Sequence, residues 1–220
     1  MGYVETKYVA EDLLRNASRA GLPVAIYRPL DIVGSLATGA WSTSTEMAAF
    51  IRFMTDTGLA PDIDLPLDFV AADVCARVIR HISVTEEAAG RTYHLASPGN
   101  TMLPALTGRL RRRGYEIADV PFDSWTRELA REAAHDPSHP MTAFLPLFVD
   151  RDAASGLTVA EMYLEHVFPA YSQTNTERAL RDTGIAFDSA DGQLLDRNID
   201  RLMRTAYLPE PPGGRLADAD

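Results

Sequence analysis

The feature that most restricts what this chain can become lies in residues 1–33: a helix-forming segment, a glycine stop, and a short apolar strand with proline at both ends. Residues 3–20 carry Ala10, Leu13, Leu14 and Ala17 on one helical face, and Gly21 is placed to end the helix. Pro23 then introduces Val24-Ala25-Ile26-Tyr27, closed by Arg28-Pro29. A helix followed by a continuous apolar strand is half of an α/β crossover, and such a strand needs parallel neighbours and cover on both faces. Residues 34–45, GSLATGAWSTST, hold two glycines and lead into a loop. They do not match the Gly-rich strand-to-helix turn that lays backbone N–H groups on a pyrophosphate.

Further along, Met47, Phe50, Ile51 and Met54 predict a helix over residues 46–57, and residues 58–66 are turn-rich. Residues 67–70 read as extended, and Asp73 is placed to cap a helix carrying Val74, Val78, Ile79 and Ile82. Strands are expected at 92–95 and 115–120, with helices at Leu103-Leu106-Leu110 and around Trp125 and Leu129. From His139 onward only helices are expected. Thr174-Asn175-Thr176-Glu177 reads as a capping box for a helix ending at Gly184, and Leu195, Ile199 and Leu202 form the last buried stripe.

Charge narrows the function classes. The 220 residues carry 31 acidic and 21 basic side chains, for a net charge of −10. That balance argues against nucleic acid and against an anionic membrane surface. No window approaches a membrane span, and no signal peptide is recognisable at the start. Gly2 and Thr6 fit a loose acylation pattern, but no polybasic second signal accompanies it. The one cysteine, Cys75, excludes a disulfide framework within the chain and fits a reducing, cytoplasmic setting.

The chemically loaded residues come first: Tyr3-Val4-Glu5-Thr6-Lys7. On a helix, positions i and i+4 share a face, so phenol and ammonium converge, and a nearby Lys lowers the phenol pKa toward that of a useful general acid. With eight tyrosines and a single lysine in the chain, chance would supply this spacing about 0.04 times. An exposed helix start with an incidental aromatic and cation is the competing reading.

Several ordered segments carry a resemblance: GYVETKYVAEDLLRNASRAGLPVAIYRPLDIVG, TGAWSTSTE, APDIDLPLDFVAADVCARVI, RTYHLASP, TNTERALRDTGIAF and LLDRNIDRLMRTAYLPEP. Together the chain resembles the second half of the thioester reductase domains that end nonribosomal peptide and polyketide assembly lines and carboxylic acid reductases. These are extended short-chain dehydrogenase/reductases. The resemblance implies an α/β fold, the C-terminal part of an extended Rossmann-type reductase with an incomplete parallel sheet and a mainly helical substrate- and carrier-binding subdomain. It divides the chain into a dinucleotide-domain remnant (1–97) with an inserted substrate loop (35–65), a helical substrate domain (98–208) and a disordered tail (209–220).

What the resemblance implies about chemistry is specific. NADPH would deliver hydride to a carrier-bound acyl or peptidyl thioester, giving an aldehyde or alcohol. Tyr3 would polarise the carbonyl oxygen, and Lys7 would hold the ribose and depress the Tyr pKa. Arg28, Pro29, Leu30 and Ile32 would meet the nicotinamide, with Leu30 where the family often has Gly. Thr38, Gly39, Trp41 and Thr43 fall on the substrate side, toward the phosphopantetheine arm of a carrier protein. In the family the phosphate-binding loop, the 2′-phosphate residues and the catalytic Ser/Thr precede the Tyr. The chain is therefore expected to be inactive without a Rossmann half, which a partner chain would have to supply. A truncated gene, a split enzyme and an adapted domain all fit. The alternative function is a non-catalytic module that binds carrier protein or oligomerises through its sheet edge.

Other candidates have plainer readings. His135 and His139 are separated by Pro137, which argues against a helical metal pair, and no metal is expected. Asp62 and Asp64 read as a solvated turn, and Cys75 as a buried, inert thiol. Trp41 is either a core anchor or a wall of the acyl pocket. Arg109, Arg111, Arg112 and Arg113 are either a carrier-docking patch or a helix end complementing its dipole.

Overall fold

The computed structural model describes residues 2–99, 101–165, 167, 171–187 and 192–213, and for residues 2–4 the backbone alone. Helix α1 (Gly2–Arg19) ends at Gly21 (φ 96°), whose N–H reaches the Ser18 carbonyl at 3.0 Å. Strand β1 (Ile26–Pro29) pairs in parallel with β6 (Thr92–Leu95), with Ile26 opposite Thr92 and Pro29 opposite Leu95. Two further parallel pairs follow: β2 (Asp31–Val33) with β5 (Phe69–Ala71), and β3 (Leu59–Pro61) with β8 (Ala118–Val120). A short antiparallel pair joins β4 (Pro66–Leu67) to β7 (Thr101–Met102). The architecture is α/β with a partial parallel sheet and many helices.

The first strand lies two residues beyond the apolar run that announced it. Pairing sets its bounds: Ile26 N–H bonds to Arg91 and Leu30 N–H to Leu95, each at 3.0 Å, while the Val24 carbonyl instead accepts from Gly90. Helix α2 (Glu46–Thr57) starts on Thr45, whose hydroxyl accepts from Ala48 N–H, and stops at Gly58 in the left-handed region. Both signals were local, and its expected bounds hold.

Helix α3 (Ala72–Ser83) departs from expectation at its start: Ala71 is the N-cap, without a side-chain bond, and Asp73 lies inside the first turn. Helices α4 (Leu103–Arg112) and α5 (Phe122–His135) fall where the periodicity put them. Beyond lie α6 (Pro146–Val149), α7 (Val159–Leu164), α8 (Thr174–Leu180) and α9 (Gly192–Arg204). The capping box opens α7, where Thr158 and Glu161 bond reciprocally. At α8 the N-cap is Gln173, and Thr176 turns its hydroxyl to a strand carbonyl instead.

Trp125 is fully buried, with Phe50, Phe53 and Phe148 at ring-centre distances of 5.2, 5.3 and 5.2 Å. Leu195, Ile199 and Leu202 bring α9 into the same continuous core. Helix α1 is the exception: Val9 is 55% and Leu13 64% exposed, so its apolar stripe faces outward. The expected tail is held at its beginning, where the Tyr115 hydroxyl donates to the Pro209 carbonyl at 2.7 Å; residues 214–220 lie outside the described residues. No helix among the described residues is long and apolar enough to cross a membrane.

Candidate functional site

Tyr3, Lys7 and Glu11 succeed one another every four residues of α1, one row along one helical face. The Tyr3 side chain lies outside the described residues, and Lys7 is exposed. Glu11 shows where the row leads. Its carboxylate accepts from the guanidinium of Arg28 on β1 at 2.9 and 2.5 Å, and from Arg15 at 2.6 Å. Those contacts, Arg28 first, hold its pKa below the usual carboxylate range despite partial burial.

Arg28 also donates to His94 Nε2 at 3.2 Å, and the other ring nitrogen, Nδ1, lies 3.0 Å from the Ser172 carbonyl. The Tyr171 ring lies 5.2 Å from the same imidazole. Helix α1, both strands and the segment before α8 thus meet at the carboxyl end of the β1–β6 pair. Leu30 is half-buried there and Ile32 is 43% exposed. In open α/β sheets this end is where ligands sit.

The loop of residues 34–45 leaves β2 next to this point. Asp73 grips it: its carboxylate accepts from the Ser35 hydroxyl at 2.9 Å and from the N–H groups of Leu36 and Ala37, each at 3.0 Å. These bonds outweigh burial and keep Asp73 well ionised. Thr38 and Thr43 are exposed, and Gly39 is buried. Trp41 is half-buried edge-on to Phe69, with ring centres 6.4 Å apart, and its indole N–H has no acceptor among the described residues.

Asp31, Glu46, Asp68 and Tyr163 form a neighbouring acidic group that the sequence reading missed. Burial raises Glu46 to about 7, with Asp31 adding to the effect. Burial also raises Asp31, followed by repulsion from Asp68, and it lifts the Tyr163 phenol to about 12. By surface area, however, Asp31 and Glu46 are exposed and Tyr163 is 52% exposed, so the shifts keep their upward direction at reduced size. Water therefore damps these mutual effects. Nothing local announces the group, because its members come from β2, α2, the residue before β5, and α7.

The remaining candidates resolve simply. His139 is buried, accepts from Met141 N–H at 3.1 Å and faces Asp56 at 3.3 Å, which makes it a core histidine; His135 ends α5. Asp62 and Asp64 are exposed. No cluster of three or more His, Cys, Asp or Glu residues suits a metal among the described residues. Cys75 is buried and its thiol is pushed up to about 11, so it is unreactive.

The basic cluster is largely neutralised within the fold. Arg113 meets Asp200 at 2.7 Å and Asp196 at 2.9 Å, and Arg111 meets Asp119 at 2.6 Å. Arg109 lies 3.5 Å from Asp196, which leaves Arg112 as the exposed member with no ion pair among the described residues.

A nicotinamide dinucleotide needs groups for its ribose and a cradle of N–H groups for its pyrophosphate. Lys7 is exposed on the helix row that reaches β1 through Glu11 and Arg28. Among the described residues, no parallel strand runs through a Gly-rich turn into a helix. Helix α3 follows β5 directly, through Ala71-Ala72-Asp73. These residues do not fit the pyrophosphate.

The NAD-binding family model described as Male sterility protein matches residues 1–79. A linear gramicidin synthase chain of Brevibacillus parabrevis is 30% identical over 210 residues, covering 94% of this chain and 4% of that protein. The L-2-aminoadipate reductase large subunit of Eremothecium gossypii is 28% identical, covering 97% of this chain and 15% of its own length. The terminal R domain of the myxalamid PKS-NRPS pathway superposes with a TM-score of 0.79 at 30% identity, over 96% of this chain and 51% of that one. A thiolation-reductase di-domain from an archaeal non-ribosomal peptide synthetase shares the fold, with a TM-score of 0.67 at 21% identity, over 93% of this chain and 41% of that one. The chain thus spans about half of the solved R domain and a small part of the curated relatives. By sequence and by fold the chain is similar to the terminal reductase domains of nonribosomal peptide and polyketide synthases, with an α/β architecture that matches part of theirs.

Proposed function

We propose that residues 1–220 supply the acid–base helix and the thioester-binding side of an NADPH-dependent reductase acting on acyl or peptidyl groups carried on a phosphopantetheine arm. One observation carries this reading most: the Tyr3–Lys7–Glu11 row runs into Arg28 at the carboxyl end of the β1–β6 pair. NADPH, when bound, supplies the hydride that adds to the thioester carbonyl carbon. Tyr3 donates its phenolic proton to the carbonyl oxygen, and Lys7 keeps that phenol acidic while holding a ribose hydroxyl. The carbon–sulfur bond then breaks, leaving an aldehyde and the carrier's free thiol. A second reduction would give the alcohol.

The pyrophosphate needs a cradle that these residues lack. The outward apolar stripe of α1 and the free edge of β1 support docking of an α/β unit there, in the same polypeptide or in a partner. Residues 26 and 30 send their N–H groups to the β6 side, so by alternation Tyr27 turns its N–H and carbonyl outward, toward where a further parallel strand would lie.

The reading is tested in protein that carries both parts, by following NADPH oxidation with an acyl-pantetheine thioester. Tyr3→Phe is expected to lower kcat by about 10²-fold or more, with NADPH affinity within about twofold of the parent. Unchanged turnover would remove Tyr3 from the chemistry.

A further inference from the structure

The loop of residues 34–41 is held from a place remote in sequence. It closes on itself through Ser35 N–H to the Ala40 carbonyl at 3.0 Å and Gly39 N–H to the Ser35 carbonyl at 2.8 Å. Asp73 takes two further N–H groups from the α3 side. The opposite side belongs to α9. Asn198, with no exposed surface, accepts from Gly34 N–H at 2.7 Å through Oδ1 and donates to the Ser35 carbonyl at 3.4 Å through Nδ2. Arg197 donates to the Leu36 carbonyl at 2.6 Å.

The approach is too close for side chains. A Cβ on Gly34 would lie 2.6 Å from Asn198 Oδ1, and one on Gly39, already at φ +69°, would lie 2.4 Å from the Arg197 carbonyl oxygen. The glycines therefore exist for α9 as much as for the turn. The same C-terminal segment reaches the far end of the loop, where the Tyr207 hydroxyl donates to the Thr43 carbonyl at 3.2 Å.

We propose that Asn198 is a positioning residue: by holding Gly34 and Ser35 it fixes residues 34–41, and so sets the affinity of Thr38, Gly39 and Trp41 for acyl-pantetheine thioesters. The side chain suits this because an amide gives one donor and one acceptor to adjacent peptide groups. Aspartate keeps the acceptor but cannot donate, and leucine offers neither. A buried amide that loses one partner leaves a peptide group unsatisfied, so the loop is expected to shift rather than tolerate the loss. The inference rests on the reading of residues 38–43 as the thioester side.

The test uses octanoyl-pantetheine as the probe, titrated against the whole chain and followed by tryptophan emission, alongside hydrogen exchange of residues 35–41. Asn198→Asp is expected to speed loop exchange at least about tenfold and to weaken probe binding by a similar factor, with α2 and α5 protection unchanged. Arg197→Ala, at an exposed position, loosens the same loop without entering the core, and should weaken binding about two- to threefold even if Asn198→Asp fails to fold. In the complete reductase the same variants should raise KM with little change in kcat. Faster loop exchange with unchanged probe affinity would overturn the proposal alone. A parent chain that does not bind the probe would overturn the thioester reading of residues 38–43, and the proposal with it.

Discussion

The two outer edges of the β1–β6 pair are treated in opposite ways. The β6 edge is covered by α8: Asn175 donates to the Thr92 carbonyl at 3.0 Å and Thr176 to the His94 carbonyl at 2.7 Å. At the β1 edge no described side chain plays that part, and the helix beside it turns Val9 and Leu13 to solvent. Open strand edges and apolar faces invite pairing. The C-terminal side of the molecule is finished as a surface, whereas among the described residues the front leaves an apolar helix stripe exposed beside the strand edge. A reductase assembled from two halves would show this division, with the proposed acid–base residues on the unfinished side.

The largest expected contrast tests that division directly. Trp125→Ala should cost about 3–5 kcal/mol, because the indole fills a nest of four phenylalanine rings, Phe50, Phe53, Phe122 and Phe148. Leu13→Ser, on the exposed stripe, should change the stability of residues 1–220 by less than about 0.5 kcal/mol and weaken association with an α/β partner. Both are read from denaturant unfolding, the second also from light scattering. A large stability loss at Leu13 would mean that α1 is already buried in solution, by a second copy for instance, and the contrast between the two faces would fail.

A smaller effect is expected at the covered edge. Thr176→Val keeps the shape of a residue that is 2% exposed but removes the hydroxyl from the His94 carbonyl. The expected cost is about 1–2 kcal/mol, with faster hydrogen exchange along β6. No change in β6 protection would show that α8 shields the edge by bulk alone.

Sequence reading succeeded where the determinants were local. Helix α2 matches its expected bounds because Thr45, the 47/50/51/54 spacing and Gly58 all act within one segment. It failed where a side chain had two uses. Asp73 resembled an N-cap but reaches back to the loop of residues 34–38, and Thr176 resembled part of a capping box but bonds a strand. Arg28 was legible as part of the strand end, whereas its pairing with Glu11, 17 positions away, was not. Asn198 was invisible for the same reason, being 164 positions from the amide it holds. The Tyr3–Lys7 spacing is written within four residues of sequence, but the Tyr3 side chain lies outside the described residues, so the pair's chemistry belongs to the proposal.

The smallest expected effect lies at the seam between the two sides, where Glu46 opens α2. Burial, helped by Asp31, raises its carboxyl from 4.5 to about 7, although its place in the first turn of a helix would favour the anion. A carboxyl raised on folding binds protons more tightly in the native chain than in the unfolded one. Its ionisation therefore subtracts stability progressively as pH rises from about 4.5 to about 7, and fully above that. Glu46→Gln removes the ionisation, so its Tm should exceed that of the parent at pH 8, and the difference should shrink to nothing below about pH 4.5. Because the side chain reaches solvent, the gain should be modest and should diminish with added salt. A Tm difference that stays constant from pH 4 to pH 8 would show that Asp31 and the surroundings of Glu46 do not raise its carboxyl.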